Sequence, residues 1–144
     1  EARRQLAAPR GGARRLGGRG DVTRTGRLWH VENNPQNIGS GVHVSGMVYR
    51  PNAEKRNSLQ CIEIATGKIR WSAPGAGHWG SVVMAGKLLY ATDQQGNTVV
   101  FRPNPDEYEV VANNPLGEPS NSTPAVSEGQ LYIRTAAHLF CIGH

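Results

Sequence analysis

The sequence predicts an all-β fold, a partial β-propeller of about three four-stranded antiparallel blades in an incomplete ring. A strand–turn–strand segment recurs at a regular interval, with Gly at each turn and Tyr49, Tyr90 and Tyr132 at equivalent positions of the second strand. The composition, with 18 Gly and 9 Pro in 144 residues, favours strands joined by tight turns. These tyrosines are 41 and 42 residues apart, and a period of 20 to 50 residues is typical of repeat architectures.

Each repeat begins with a hairpin, found in residues 40–49, 80–90 and 122–132. Two-residue hairpins need positive φ, which Gly adopts without strain. A third apolar strand follows in residues 59–62, 98–101 and 139–142. One such sheet cannot bury both faces, whereas sheets stacked around an axis can. A β-sandwich is the main rival, but it would not repeat Trp and Tyr at this interval.

The fourth strand carries the most specific motif, Cys-Ile-Glu-Ile-Ala-Thr-Gly-Lys-Ile-Arg-Trp in residues 61–71. It resembles the tryptophan-docking motif of quinoprotein propellers, Ala-x-Asp-x-x-Thr-Gly-x-x-x-Trp. Cys replaces the Ala and Glu replaces the Asp. A partial copy ending on a Trp lies one repeat upstream. The motif residues are Cys61, Glu63, Thr66, Gly67, Lys68 and Trp71, with Thr25, Gly26 and Trp29 in the partial copy.

Through this motif and the Gly–Tyr strands, residues 25–144 are similar to the PQQ-like repeat family of β-propellers, which has quinoprotein-like and BamB-like members. The resemblance implies that Trp29 and Trp71 pack against neighbouring blades and that Thr-Gly forms the turn between outer strands. It does not indicate a cofactor. The second complete blade lacks the motif, so Tyr108 or Val110 is expected to replace the Trp in a looser joint.

The repeat divides the chain into a tail and a propeller region. Residues 1–24 are rich in Arg and Gly, with little apolar content, and are expected to be disordered. Residues 25–144 are assigned to blades. Residues 25–31 are expected to end one blade, 39–71 and 80–112 to form two complete blades, and 122–144 to form a last blade that lacks its outer strand.

Rings of the family use about six to eight blades, so three blades cannot close one. We expect the missing N-terminal blades of a longer parent to be partners of this chain, and the open arc to expose apolar faces and self-associate. His144 is expected to lie close to the true C-terminus. The missing strand would then come from upstream sequence, or within this chain from residues 26–31.

The net charge of +5 is located in the tail. Residues 1–27 contain eight of the 16 basic residues and two of the 11 acidic ones, a balance of +6 that leaves −1 for the rest. The nearly neutral repeat region disfavours nucleic-acid binding, which stays an alternative through the Arg/Gly tail. No stretch approaches the ~18 apolar residues of a membrane span.

Two cysteines occupy the same repeat position two blades apart. A disulfide between Cys61 and Cys141 would exceed the Cα limit of about 7 Å, so two buried free thiols are expected. The five histidines lack metal-ligand spacing. The sequence therefore predicts no catalytic, cofactor-binding or metal-binding residue.

Polar loops on one rim of the ring are the remaining candidates. An Asn-Asn-Pro run occurs twice, two repeats apart, and each run is expected to lie in a loop before an innermost strand. Asn and Pro are also ordinary turn formers, but polar loops that converge on a rim are where binding residues concentrate. The candidate rim residues are Asn33, Asn34, His78, Trp79, Asn113 and Asn114.

The favoured function is a non-catalytic protein-interaction scaffold, which the resemblance places in the periplasm or cell envelope of a bacterium. One alternative is a fragment of a dehydrogenase that uses PQQ with calcium. Asp93 is then the only inner-strand carboxylate that resembles a candidate, although Asp-x-x-Gly is the usual turn of this repeat. No cofactor is expected in this chain.

Overall fold

The computed structural model describes residues 11–15, 17–21, 24–31, 38–53 and 58–143. These residues form thirteen β-strands and no helix, so none of them belongs to a helix that could cross a membrane. The prediction of an all-β partial propeller is confirmed.

Three antiparallel meanders form consecutive blades, with the strands of each sheet in chain order from the inner to the outer edge. The first blade contains β3 (Val42–Val44), β4 (Met47–Pro51), β5 (Leu59–Glu63) and β6 (Ile69–Ala73). The second contains β7 (Val83–Ala85), β8 (Leu88–Thr92), β9 (Asn97–Phe101) and β10 (Val110–Pro115). The last contains β11 (Ala125–Ser127), β12 (Gln130–Arg134) and β13 (Leu139–Ile142).

The innermost hairpin of each blade has a two-residue loop, as the Gly positions predict. Ser45 and Gly46 both have positive φ, 48° and 80°, and Glu128 and Gly129 have 49° and 77°. These values are typical of type I′ turns, whose twist matches that of the flanking strands. In the equivalent loop of the second blade, Gly86–Lys87, only Gly86 has positive φ, which fits a type II′ turn.

Two further strands, β1 (Gly11–Arg14) and β2 (Arg27–Val31), pair antiparallel in a separate two-stranded sheet. The prediction of a disordered tail is therefore wrong for residues 11–14, because their backbone pairs with the edge of β2. Residues 1–10 lie outside the described residues. The suggestion that residues 26–31 complete the last blade is also wrong, since β2 pairs with β1 and the described residues of the last blade form a sheet of three strands.

The core lies between the first two blades. Tyr49, Cys61, Leu89 and Phe101 are almost fully buried there. In the last blade Ile133 is buried, but Leu139 is 69% exposed and other apolar side chains of that sheet are open to solvent.

This difference in covering explains the two cysteines. Both are free, as expected, but Cys61 is buried and Cys141 is exposed. The prediction of two buried thiols is wrong for Cys141, because no described residue covers the outward face of the last blade.

Candidate interaction rim and interblade cleft

Trp71 in β6 joins the first blade to the second. Its indole Nε1 donates a hydrogen bond of 2.8 Å to the carbonyl oxygen of Asn104. Its ring centroid lies 5.9 Å from that of Tyr49, in its own blade, and 5.2 Å from that of Tyr108, in the next. Aromatic pairs at these distances add stability beyond the area that they bury.

Trp29 in β2 makes the equivalent joint one repeat earlier. Its Nε1 donates to the carbonyl oxygen of Ile64 at 2.6 Å. Gly67, with φ of 75°, lies directly under the indole, where an added Cβ would come within 2.6 Å of the ring. The Thr-Gly turn of the motif therefore also forms the surface on which the Trp of the preceding repeat packs.

The neighbouring motif residues shape this turn. The hydroxyl of Thr66 donates to the carboxylate of Glu63 and accepts a hydrogen bond from the backbone N–H of Lys68 at 3.2 Å. The Lys68 side chain is exposed. Glu63 thus stabilises the turn through the Thr66 hydroxyl.

Ala112 occupies the Trp position of the second blade. It pairs with Val100 as Trp71 pairs with Cys61. The expectation that Tyr108 or Val110 replaces the Trp is therefore wrong. The turn before β10 closes between Arg102 and Glu109, two residues longer than the Glu63–Lys68 turn, and this shifts the register.

Tyr108 packs towards the first blade and not towards the last one. Its ring lies against Trp71 and, at 5.5 Å, against Phe101. Val110 is 47% exposed. The joint between the first two blades thus gains an aromatic ring, while the second blade presents only Ala112 at the Trp position of its outer strand.

The prediction of rim loops is wrong for Asn113 and Asn114. Both lie within β10, opposite Val99 and Thr98. The strand continues past a register shift as far as Pro115, and Pro is tolerated there because β10 is an edge strand. Asn33 and Asn34 lie outside the described residues.

His78 and Trp79 lie in the predicted loop, which leads from β6 to β7. The His78 N–H donates to the carbonyl oxygen of Asn52 at 2.9 Å, and the Gln94 N–H donates to that of Gly77 at 2.9 Å. The loop is therefore held by one turn of each adjoining blade.

At their inner ends the blades meet backbone to backbone. A Cβ added to Gly39 would lie 2.3 Å from the carbonyl oxygen of Gly80. A Cβ added to Gly80 would lie 2.1 Å from the carbonyl oxygen of Ser122. The Ser81 N–H donates to the hydroxyl of Thr123 at 2.8 Å. These contacts repeat from blade to blade and define the inner edge of the arc.

We term the loops that enter β3, β7 and β11 the rim. The residue that precedes each of these backbone contacts in the chain lies on this rim. Ile38 is 61% exposed and Trp79 is 40% exposed, and the third equivalent, Asn121, is also exposed. Sequence reasoning missed Ile38. The recurrence of Ile38-Gly-Ser as Trp79-Gly-Ser, one repeat later, was the signal that could have found it.

A cleft of about 240 Å³ opens beside this loop, between the first and second blades. His78 lines it and is only 5% exposed. Burial lowers the pKa of His78, and the nearby Asp93 carboxylate opposes this effect. The backbone of Ala76 and Ser58 is near the ring, but neither ring nitrogen has a partner in hydrogen-bonding geometry. The cleft residues are Ser58, Pro74, Gly75, Ala76, His78, Asp93, Asn97, Val99, Tyr108, Val110 and Asn113.

Asp93 forms the turn that its motif predicts. One carboxylate oxygen, Oδ1, accepts hydrogen bonds from the N–H groups of Gln95 and Asn97, both at 2.9 Å. The described residues contain no group of three His, Cys, Asp or Glu that could hold a metal ion.

Successive antiparallel meanders, joined by Gly contacts at the inner edge and by Trp side chains between outer strands, define a partial β-propeller. The solved structure of BamB from Moraxella catarrhalis is similar, with a TM-score of 0.60 and 11% identity. The match covers 83% of this chain and 37% of that protein, so the chain spans just over a third of its length. This likeness shows a BamB-like fold. No family model and no curated protein matches the sequence.

Proposed function

We propose that this chain is part of a non-catalytic β-propeller that acts as a protein-interaction scaffold in the bacterial cell envelope and holds no cofactor of its own. The observation that carries the proposal is the exposed pair Ile38 and Trp79 on the rim. Both are large apolar side chains, and they stand at equivalent positions of adjacent blades.

The backbone contact between Gly39 and Gly80 brings these positions onto neighbouring points of one surface. Exposed apolar groups bordered by polar residues mark interaction sites, and here Gln95 and Asn121 on nearby exposed loops supply that border. Trp is enriched among the residues that dominate binding energy at protein interfaces. The rim therefore fits a protein partner that presents an apolar contact.

One further surface bears on the choice of partner. The exposed apolar face of the last blade suits another blade, so the remaining blades of a longer parent are a second partner. The envelope location is supported by the resemblance to BamB-like propellers alone.

The test places a photo-crosslinking amino acid at position 38 or 79 of the full-length parent, in a bacterial host, and analyses the envelope fraction. Ile69 provides the matched control, because it is 49% exposed on the outer strand β6, away from the rim. We expect a discrete adduct with one protein from positions 38 and 79 and none from position 69. Equal patterns from all three positions, or no adduct at all, would contradict the proposal.

A further inference from the structure

The interblade cleft contains a buried imidazole without a partner. His78 is 95% buried, and both Nδ1 and Nε2 lack a hydrogen bond within the described residues. Buried polar side chains are almost always hydrogen-bonded, so an unpaired group at the wall of a cleft indicates that something else supplies the bond. Because burial disfavours the imidazolium, the ring is neutral near pH 7 and offers one donor and one acceptor.

A carboxylate faces the same space. Asp93 is close enough to raise the pKa of both His78 and Tyr108, although desolvation is the larger cause at each residue and the Tyr108 pKa reaches about 12. Its Oδ2 accepts a single bond, from the Asn97 side chain at 3.1 Å. A carboxylate has about four lone-pair sites, so this oxygen has unused acceptor capacity.

Among the described residues, no side chain in the cleft acts as a counter-ion to this carboxylate. The described residues that line it include neither Lys nor Arg. At the mouth, Asn113 adds an exposed amide, and the Tyr108 ring forms part of the wall. The lining therefore combines one negative charge, one neutral imidazole, an amide and an aromatic ring.

We propose that this cleft binds a small organic cation, an alkylammonium or guanidinium group, with Asp93 as its counter-ion and His78 as a hydrogen-bond acceptor. An N–H donor satisfies the free imidazole nitrogen and pairs with the carboxylate at once. An anion would be repelled by the Asp93 carboxylate. Water would satisfy the imidazole but leave the charge without a counter-ion.

The space suits a group of this size, since a water molecule takes up about 30 Å³ of the liquid and the cleft offers about 240 Å³. Such a group comes from two sources, a free amine or the Lys or Arg side chain of a bound protein. Both sources have the same chemistry at the site.

The experiment titrates the chain with ethylammonium chloride at pH 7.5 and constant ionic strength and follows the His78 ring resonances by NMR. We expect a saturable shift with ethylammonium and none with sodium acetate. The Asp93→Asn variant keeps an oxygen acceptor for the Gln95 and Asn97 amides, so its turn is retained. We expect it to bind ethylammonium about tenfold more weakly or worse, as loss of a buried charge partner implies.

Asp106→Asn is the matched control, because Asp106 is an exposed carboxylate that pairs with Arg70 outside the cleft. It should bind like the unmodified chain, and Tyr108→Phe should retain binding because it keeps the aromatic ring. A second titration with N-acetyl-lysine amide distinguishes the sources: affinity equal to that for ethylammonium supports a protein side chain, and much weaker affinity supports a free amine. The absence of a saturable shift, equal binding by Asp93→Asn, or retention of bound water only would overturn the proposal.

Discussion

Two nearby tryptophans show how differently one residue type is used in this chain. Trp71 is half-buried, hydrogen-bonded to the next blade and surrounded by three aromatic rings. Trp79 is 40% exposed on the rim. The first ring is needed for the joint between blades, and the second is available for a partner.

We therefore predict that Trp71→Ala lowers the free energy of unfolding by about 3 kcal/mol or more, as large-to-small core changes do. Urea denaturation followed by circular dichroism measures this value. Trp79→Ala is the control and should change stability by less than about 1 kcal/mol, since its side chain fills no joint. A loss below ~1 kcal/mol for Trp71→Ala would show that the joint does not depend on this ring.

The sequence motif identified the docking tryptophans, because Thr-Gly-x-x-x-Trp fixes both a turn and the spacing to the ring. It could not identify the register of the second blade. There the turn between the outer strands is two residues longer, and only the pairing of Ala112 with Val100 shows which residue takes the Trp position. Likewise, nothing in the sequence placed His78 beside Asp93 in one cleft, since loops from two blades must meet to form it.

At the level of elements, the inner edges of the blades depend on the absence of a side chain. Gly80 is buried and lacks a left-handed φ, so conformation does not require glycine there. Glycine is required there because the space is too small for a side chain: an added Cβ would lie 2.1 Å from the carbonyl oxygen of Ser122.

We predict that Gly80→Ala separates the second and last blades at this edge and destabilises the chain by about 1–3 kcal/mol, as overpacking does. Amide hydrogen exchange should show lost protection at Ser81, whose N–H donates to Thr123. Gly46→Ala is the control. An added Cβ at Gly46 would meet no heavy atom within 4 Å, so the substitution strains only the positive φ of its turn and does not press on a neighbouring blade. Unchanged protection of Ser81 in Gly80→Ala would contradict the prediction.

The hairpins and most strands could be predicted because their repeat positions carry alternating apolar residues and turn glycines. The strand β1 could not be, since Gly-Gly-Ala-Arg has no apolar pattern and is ordered by backbone pairing with β2. The length of β10 was also missed, because Asn-Asn-Pro is typical of turns and its pairing partner lies on another strand. In both segments, backbone pairing with a neighbouring strand outweighs the local conformational preference of the residues.

At the scale of the whole molecule, the last blade has an uncovered apolar face. On the outward face of this sheet Leu139 is 69% exposed, and Cys141, two residues along the same strand and on the same face, is exposed as well. Adjacent exposed apolar side chains on one sheet favour association. Self-association of this chain by itself is the consequence that the open arc implies.

We predict that the chain forms concentration-dependent oligomers and that Leu139→Lys shifts them towards monomer, because a charge on this face is costly to bury. Light scattering over a range of concentrations measures the shift. Val111→Lys serves as the control, being 48% exposed on the outer strand of the second blade. If both variants associate to the same extent as the unmodified chain, the face of the last blade is not the contact.

The distribution of the smallest and largest side chains also determines the shape of the arc. Glycines let the backbones almost touch where the inner strands begin, while indole rings hold the outer strands apart. The joint between the first two blades is therefore a wedge, narrow inside and broad outside, and repeating such a wedge bends the row of sheets. The curvature of the array thus depends on residue volume at the inner and outer edges, and where the outer strand supplies only Ala112 we expect a smaller rotation from one blade to the next.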